Sequence, residues 1–414
     1  MSLIRKVPIV AENELKYILL LAAVQFVHMV DFVVLMPLGP TLMKDLSITP
    51  AQFGTLVSSY NFSAAIFGIL FGSFADKFDR KSLLLMAMVG FTLGTFSCGM
   101  ASDFHLLITA RIITGAFGGM LNGLIFAVIS DIVPFQRRGR AMGVVMSSFS
   151  VASVVGVPIG LAISDYGHWK FTFVFIGVFS MFIILLAQFI FPNITAHLGK
   201  DSEAFFSRIK KLFYNPRYRK SFLFIFLVSG SMFLLIPFLS PFAVKNMGIA
   251  TTNLKYMYLV GGLFTIVTAR VFGVLTDKVG ALKLFILIVL VSFIPISLYT
   301  HSGELSFVSY LALGSFFMTM VSGRMIPCMT LISEVPGSEE RGLFMSVLHS
   351  VRSCGSGAAT FFGGLIISES DTGRLMGFNH AGYLSVLMGL ATIFLAFQIF
   401  KNLNKESPSL AKQL

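Results

Sequence analysis

The chain has 414 residues, of which 56% are hydrophobic, 14% aromatic and only 12% charged, whereas ordinary soluble domains carry roughly a quarter charged residues. That composition excludes a soluble enzyme. The net charge of +12 is not a nucleic-acid signature either, because the basic residues recur between apolar blocks instead of gathering on one domain.

In chain order, the apolar blocks predict helices over 15–40, 51–74, 82–101, 104–128, 140–163, 170–191, 221–243, 254–276, 282–300, 305–332, 342–367 and 378–400. Each is about long enough to cross a hydrocarbon core of roughly 30 Å. The fold class is therefore an all-α membrane protein with twelve transmembrane helices. The first block follows a short polar start, Met1 to Glu14, and runs past Leu35 with no small-residue cleavage site, so it reads as a retained span. Cys98, Cys328 and Cys354 lie in or at the edge of apolar blocks without metal-ligand spacing, so neither a disulfide framework nor a metal site is expected. No Gly-x-x-x-x-Gly-Lys-Ser/Thr loop and no His-Glu-x-x-His pair occurs, so ATP-driven pumping and zinc hydrolysis have no support and no cofactor is expected.

Lys and Arg test the topology independently. Alternate loops hold only Lys44, Lys170, Lys245, Lys255 and Arg374, and Arg111, Arg270, Arg324 and Arg352 fall inside spans; all the others lie on one face, which the positive-inside rule makes cytoplasmic, with both termini. The expected location is the bacterial inner membrane. A basic stretch over 192–220, with Arg208, Lys210, Lys211, Arg217, Arg219 and Lys220, separates a first half (1–191) from a second (221–414). Its default reading is a solvated linker whose charges set topology; the alternative is an amphipathic helix near Phe205 to Phe213 lying on the cytoplasmic leaflet. Repetition supports the division. Gly72, Asp76 and Lys77 recur as Gly273, Asp277 and Lys278 at an offset of 201, and Asp131, Arg138 and Gly139 as Glu334, Arg341 and Gly342 at 203. Two six-helix halves in parallel arrangement follow.

Charges inside spans are costly, about 2.5–3.5 kcal/mol each at mid-helix, so they mark functional candidates. Gln25, His28 and Asp31 are spaced three apart on roughly one face of the first span. Asp31 lies about 13 Å below that span's outer end and Arg111 about 10 Å below the outer end of the fourth, so the two are able to meet. Two readings stay open: Asp31 with Arg111 as a proton-coupling site, His28 relaying, or a permanent ion pair that fixes packing beside a merely hydrogen-bonded histidine. Arg352, near mid-depth with no acid on its own helix, invites an anionic substrate, or else pairs with Asp31 or backbone carbonyls. Further substrate-binding candidates are Tyr60, Asn61, Asn122, Tyr256 and His349, any of which also reads as a satisfied interhelical hydrogen bond.

The motifs resemble those of the major facilitator superfamily over essentially the whole chain. The loop signature appears as Gly72, Asp76, Lys77, Arg80 and Lys81, with Asp79 where the family has a second glycine; Arg111 and Gly115 match the span 4 pattern. Gly156, Pro158 and Gly160 match a span 5 Gly-x-Pro-x-Gly element, and Trp169, Lys170 and Phe173 match one at the start of span 6. The set is similar to the twelve-helix drug:proton antiporter branch, which includes sugar and metabolite exporters. The resemblance implies two pseudo-symmetric six-helix bundles around a central cavity lined by helices 1 and 4. It also implies a cytoplasmic gate from Gly72, Asp76, Lys77, Arg80, Lys81 and Arg138, with Asp277, Glu334 and Arg341 as its counterpart, and a helix-packing role for Gly156, Pro158 and Gly160. The expectation is a monomeric secondary transporter, partnered by the bilayer, protons and a small-molecule substrate, working by proton-coupled efflux. The alternatives are an uptake symporter for an organic anion, siderophore or amino acid, and a non-transporting receptor or lipid-handling protein.

Overall fold

A computed structural model describes residues 12–75, 77–195, 205–337 and 340–406. The long helices are α1 (Glu12–Val34), α2 (Pro50–Ala75), α3 (Arg80–Met100), α4 (Phe104–Ile132), α5 (Arg137–Tyr166), α6 (Trp169–Ile190), α7 (Pro216–Lys245), α8 (Thr251–Val279), α9 (Ala281–His301), α10 (Phe307–Ser333), α11 (Arg341–Ile366) and α12 (Phe378–Glu406). Among the described residues, eleven helices are long and apolar enough to cross a membrane. The twelfth, α11, has 26 residues, about 39 Å of helix, and its apolar content is diluted by His349, Arg352 and several Ser and Gly.

Side-chain caps set several of the starts. Asp79, Asp103, Asn215 and Ser306 each accept a backbone N–H from the first turn of the helix that follows, which satisfies donors that have no partner within the helix. Asn215 with Pro216 starts α7 five residues before the predicted 221. The basic stretch contains a helix, Phe205–Tyr214, that buries Ile209 and Leu212 and sets Phe213 5.1 Å from Phe222 of α7.

The first predicted span, 15–40, divides. Helix α1 ends at Val34 and a short helix, Gly39–Asp45, follows a turn that contains Pro37. The same break recurs in α7, where the turn Ile236–Phe238 with Pro237 leads into Leu239–Lys245. Proline lacks the N–H that would continue either helix. The two short helices meet: a Cβ on Gly39 would lie 3.0 Å from Pro241 Cγ. They close the face opposite the termini, together with the Lys255–Asp165 ion pair (2.8 Å) that joins α8 to α5 across the two halves. Strands β1 (Ser368–Glu369) and β2 (Leu375–Met376) cover the same face, tied to Asn246 by two hydrogen bonds with Leu375.

Each half is a six-helix bundle. In the first, α1 packs on α5 and α6, and α4 on α2 and α3; in the second, α7 packs on α11 and α12, and α10 on α8 and α9. The halves touch along α2 with α11 and along α5 with α8. In α5 a π turn, Ala152–Gly156, precedes Pro158, where the proline removes a ladder hydrogen bond. Gly156 then faces α1 so closely that a Cβ there would lie 2.2 Å from Val30 Cγ2.

The Asp79 departure has a structural reason. The turn between α2 and α3 holds Asp79 at φ −58°, where no glycine is required, and its carboxylate accepts Ser82 N (3.0 Å), Ser82 Oγ (3.0 Å) and Ile194 N (2.6 Å). The equivalent turn between α8 and α9, at an offset of 201, uses Gly280 at φ +97°, a conformation that favours glycine. Partial burial works to raise the Asp79 pKa, but the donors from Ser82 and Ile194 outweigh it and hold the carboxyl below its ordinary value.

Two outcomes follow. Because the folded pKa of Asp79 is depressed below an unfolded value of about 3.9, its contribution is full above that pH and is lost as pH falls through the folded value. Asp79→Ala should therefore lower stability by about 1 kcal/mol at pH 7, the usual cost of losing a cap, and the gap in Tm from the wild type should narrow as the pH approaches 3. Gly156→Val should cost about 1–3 kcal/mol by overpacking, and Val30→Ala added to it should restore part of the lost Tm.

Candidate functional site

The costly charges of the first half form one cluster. Asp31 and Arg111 are both fully buried and paired, Arg111 Nη1 donating to Asp31 Oδ2 at 2.7 Å, so the depth-matched residues do meet. Thr95 of α3 donates its hydroxyl to the other carboxylate oxygen, Oδ1, at 3.1 Å. The Arg111 guanidinium lies 4.5 Å from the centroid of the Tyr60 ring on α2, a cation–π contact that strengthens where water is excluded. Its Nε and Nη2 are buried without an acceptor. Tyr60 Oη shares a 2.8 Å hydrogen bond with His28 Nε2, and His28 Nδ1 is buried without a partner. Gly118 of α4 makes room for that bond, since a Cβ there would lie 2.5 Å from Tyr60 Oη and 2.9 Å from His28 Nε2.

A second polar pair lies on the same face of α1, nearer the face that carries the termini. Gln25, two turns before Asp31 along α1, donates to Asn122 Oδ1 of α4 at 3.3 Å. Asn122 is half-buried, Gln25 and His28 are buried, and Asp31 has no exposure. Asn61 turns back on its own helix, its amide donating to Val57 O at 3.2 Å, and its Cβ lies against Gly357 of α11. Tyr256 is 43% exposed near the start of α8, its ring edge-on to Phe307, and so lies away from the cluster.

In the second half the intramembrane cations Arg324 and Arg352 have no carboxylate partner among the described residues. His349 of α11 stacks on Phe126 of α4, across the two halves, with 5.6 Å between ring centroids. Arg352 is half-buried and does not reach Asp31, whose oxygens are taken by Arg111 and Thr95. Arg324 is fully buried, its Nε donating to Val321 O (3.2 Å) and Nη1 to Ser231 Oγ (3.3 Å).

The gate residues divide between the halves. Arg80 is buried and pairs with Asp131 at 3.0 Å, Arg138 donates to the carbonyls of Val133 and Ser130, and Arg137 pairs with Glu14 at 2.6 Å. These contacts staple α1, α3, α4 and α5 together. Lys77 is exposed, Lys81 and Gly72 are half-buried, and Asp76 lies outside the described residues. In the second half Asp277 and Arg341 are exposed and Glu334 half-buried, and the structure does not bring these three into ion pairs among the described residues.

Sequence reasoning misses Thr95, Gly118 and the Lys255–Asp165 pair, which come together only through packing. The prolines at 37 and 237, repeated at an offset of 200, are the signal that would have exposed the paired helix breaks.

Comparison with known proteins matches this geometry to a family. The sequence profile described as Major Facilitator Superfamily matches residues 21–360 and 221–413. The chain is 23% identical over 362 residues to the uncharacterized MFS-type transporter YceJ of Bacillus subtilis, covering 86% of this chain and 91% of that protein. It is 32% identical over 162 residues to the vacuolar membrane amino acid uptake transporter fnx2 of Schizosaccharomyces pombe, covering 39% of this chain and 27% of that one. Among solved structures, a bacterial homologue of the human lysosomal transporter Spinster, in an inward-facing and occupied conformation, superimposes with a TM-score of 0.75 at 15% identity, covering 95% and 98% of the two chains. A D-xylose–proton symporter superimposes with a TM-score of 0.73 at 15% identity, covering 93% and 97%. Two six-helix bundles, a multi-pass apolar architecture and a family match along the chain converge: this protein is a secondary transporter of the major facilitator superfamily.

Proposed function

We propose that the protein is a proton-coupled exporter that exchanges protons for a small organic molecule such as a drug, sugar or metabolite. In this reading it works as a monomer with its termini on the cytoplasmic side of a bacterial inner membrane, and the proton gradient alone drives it. The observation that carries the reading is the Asp31–Arg111 pair, fully buried beside the Tyr60–His28 hydrogen bond, with Gln25, bonded to the half-buried Asn122, on the same face of α1 as His28 and Asp31.

The coupling follows from the cost of buried charge. While α1 and α4 stay together, carboxylate and guanidinium neutralise each other and Thr95 satisfies the remaining oxygen. Breaking a buried pair leaves an uncompensated charge, which typically costs about 3–5 kcal/mol. A movement that draws Arg111 away therefore favours proton uptake by Asp31, and rejoining the pair favours release. In this reading Gln25 and His28, at three-residue spacing before Asp31 on the same face of α1, mark the side from which the proton arrives. The short helices at Gly39–Asp45 and Leu239–Lys245 and the Lys255–Asp165 pair close the opposite face in this arrangement. Alternating access requires those contacts to open while contacts at the terminal face form.

A second reading, proton-coupled uptake, draws on Arg352, which has no ion-pair partner among the described residues, and on the relative fnx2, named an amino acid uptake transporter. The direction of substrate accumulation under an imposed proton gradient separates the two.

In everted membrane vesicles loaded with a pH-sensitive dye and challenged with a panel of sugars, amino acids, carboxylates and cationic dyes, export coupling predicts proton efflux on substrate addition. Asp31→Asn should reduce that flux at least tenfold while substrate counterflow at equal pH persists. Gly118→Ala, which crowds the Tyr60–His28 bond without touching a charge, should reduce the flux less. Undiminished proton flux in Asp31→Asn would overturn the reading.

A further inference from the structure

The second half contains no acidic residue across residues 221–276, 278–303, 305–333 or 341–368, yet it carries Arg324 and Arg352 inside α10 and α11. The two share a level. Arg324 lies nine residues before the end of α10 at Ser333 and Arg352 eleven residues after the start of α11, about 14 and 17 Å above the terminal face at 1.5 Å per residue. Asp31, nineteen residues into α1, stands about 28 Å above that face, and its oxygens are occupied. Among the described residues, neither arginine is paired with a carboxylate.

Both side chains have donors that the surrounding protein does not use. Arg324 stands at the break between the helices Phe307–Gly323 and Met325–Ser333, where its Nε is turned to Val321 O and its Nη1 to Ser231 Oγ. Its Nη2 is buried with no acceptor. The Arg352 guanidinium has no acceptor among the described residues, whereas its backbone carbonyl is held by Ser229 Oγ at 3.0 Å, which fixes α11 against α7 at this point. One turn earlier on α11, His349 stacks on Phe126 of the other half, so the arginine layer adjoins the surface along which the two halves move.

We propose that Arg324 and Arg352 form the site for an oxyanion, the carboxylate or phosphate group of the transported substrate, held between α7, α10 and α11. Two cations at one depth, one of them with a buried unused donor, are costly in an apolar bundle, and a planar guanidinium pairs with carboxylate or phosphate through two parallel hydrogen bonds. The proposal rests on the protein being a transporter and is independent of the role given to Asp31.

The test is the thermal stability of the purified protein in detergent at constant ionic strength, with sodium succinate, sodium citrate, glucose 6-phosphate, inorganic phosphate or vesicles of anionic phospholipid added, and glucose and a cationic dye as controls. A ligand of the folded state raises apparent stability in proportion to its occupancy. At least one soluble oxyanion should raise the Tm of the wild type, and the concentration needed for half of that shift should rise at least tenfold in Arg352→Gln. Arg352→Lys, which keeps the charge but not the fork, should fall between. Arg324→Gln should behave like Arg352→Gln where it folds; the half-buried Arg352 keeps the test decisive where it does not. A shift from succinate or citrate alone assigns a carboxylate, and one from the phosphates alone a phosphate. Asp31→Asn should retain the full shift, so loss of proton coupling and loss of anion binding register separately. A wild type that no soluble oxyanion stabilises, a shift given by the lipid vesicles alone, or an Arg352→Gln protein that responds as the wild type does would overturn the proposal.

Discussion

A charge buried in a membrane bundle must be neutralised or it destabilises the structure, and the Asp31–Arg111 pair is where this constraint acts most strongly. Both side chains are completely enclosed, and four helices contribute to the enclosure: α1 supplies the acid, α4 the base, α3 the Thr95 hydroxyl and α2 the Tyr60 ring. The first half is thus organised around an electrostatic centre. Its apolar contacts set how closely the helices approach, and Gly118 and Gly156 are two of the places where that approach leaves no room for a methyl group.

The second half follows a different electrostatic plan on a similar backbone. The breaks at Pro37 and Pro237 and the turns at Asp79 and Gly280 repeat at offsets of 200 and 201. The charges do not repeat. The first half pairs its intramembrane arginine, whereas in the second Arg324 and Arg352 have no carboxylate partner among the described residues, and Tyr258, Tyr299 and Tyr310 are buried near the opposite face. This asymmetry underlies the two proposals, a proton site in the first half and an oxyanion site in the second. The terminal-face contacts share the asymmetry: Arg80–Asp131 and Arg137–Glu14 staple the first half internally, while Asp277, Glu334 and Arg341 are not paired among the described residues.

How much of this was legible in the sequence depends on the range of each interaction. Eleven of the helices were readable because hydropathy acts locally, while α11, diluted by His349 and Arg352, carries a weaker signal. The Asp31–Arg111 pair was readable because helix rise is constant, so two depths counted along one dimension decide whether residues can meet. Thr95 and Gly118 were not, because an ordinary threonine or glycine in an apolar block acquires its role only from the neighbour that rotation and packing bring to it. Tyr256, named among the substrate candidates as a polar residue of an apolar block, lies five residues from the start of α8 and is 43% exposed, which a depth count along that helix would have shown. Asp79 illustrates the converse. Its departure from the family glycine looks like a defect in the turn until the Ser82 and Ile194 donors are seen.

The central claim is that Asp31 gains and loses a proton as its pair with Arg111 opens and closes. Infrared difference spectroscopy on the reconstituted protein, stepping pH with and without a stabilising ligand, reads this directly. The claim predicts a protonated-carboxyl C=O band that appears on acidification, shifts its midpoint when ligand is added, and is missing in Asp31→Asn. The same band persisting in Asp31→Asn, or no band at any pH in the wild type, would mean that the pair stays ionised throughout and serves only to hold the helices together.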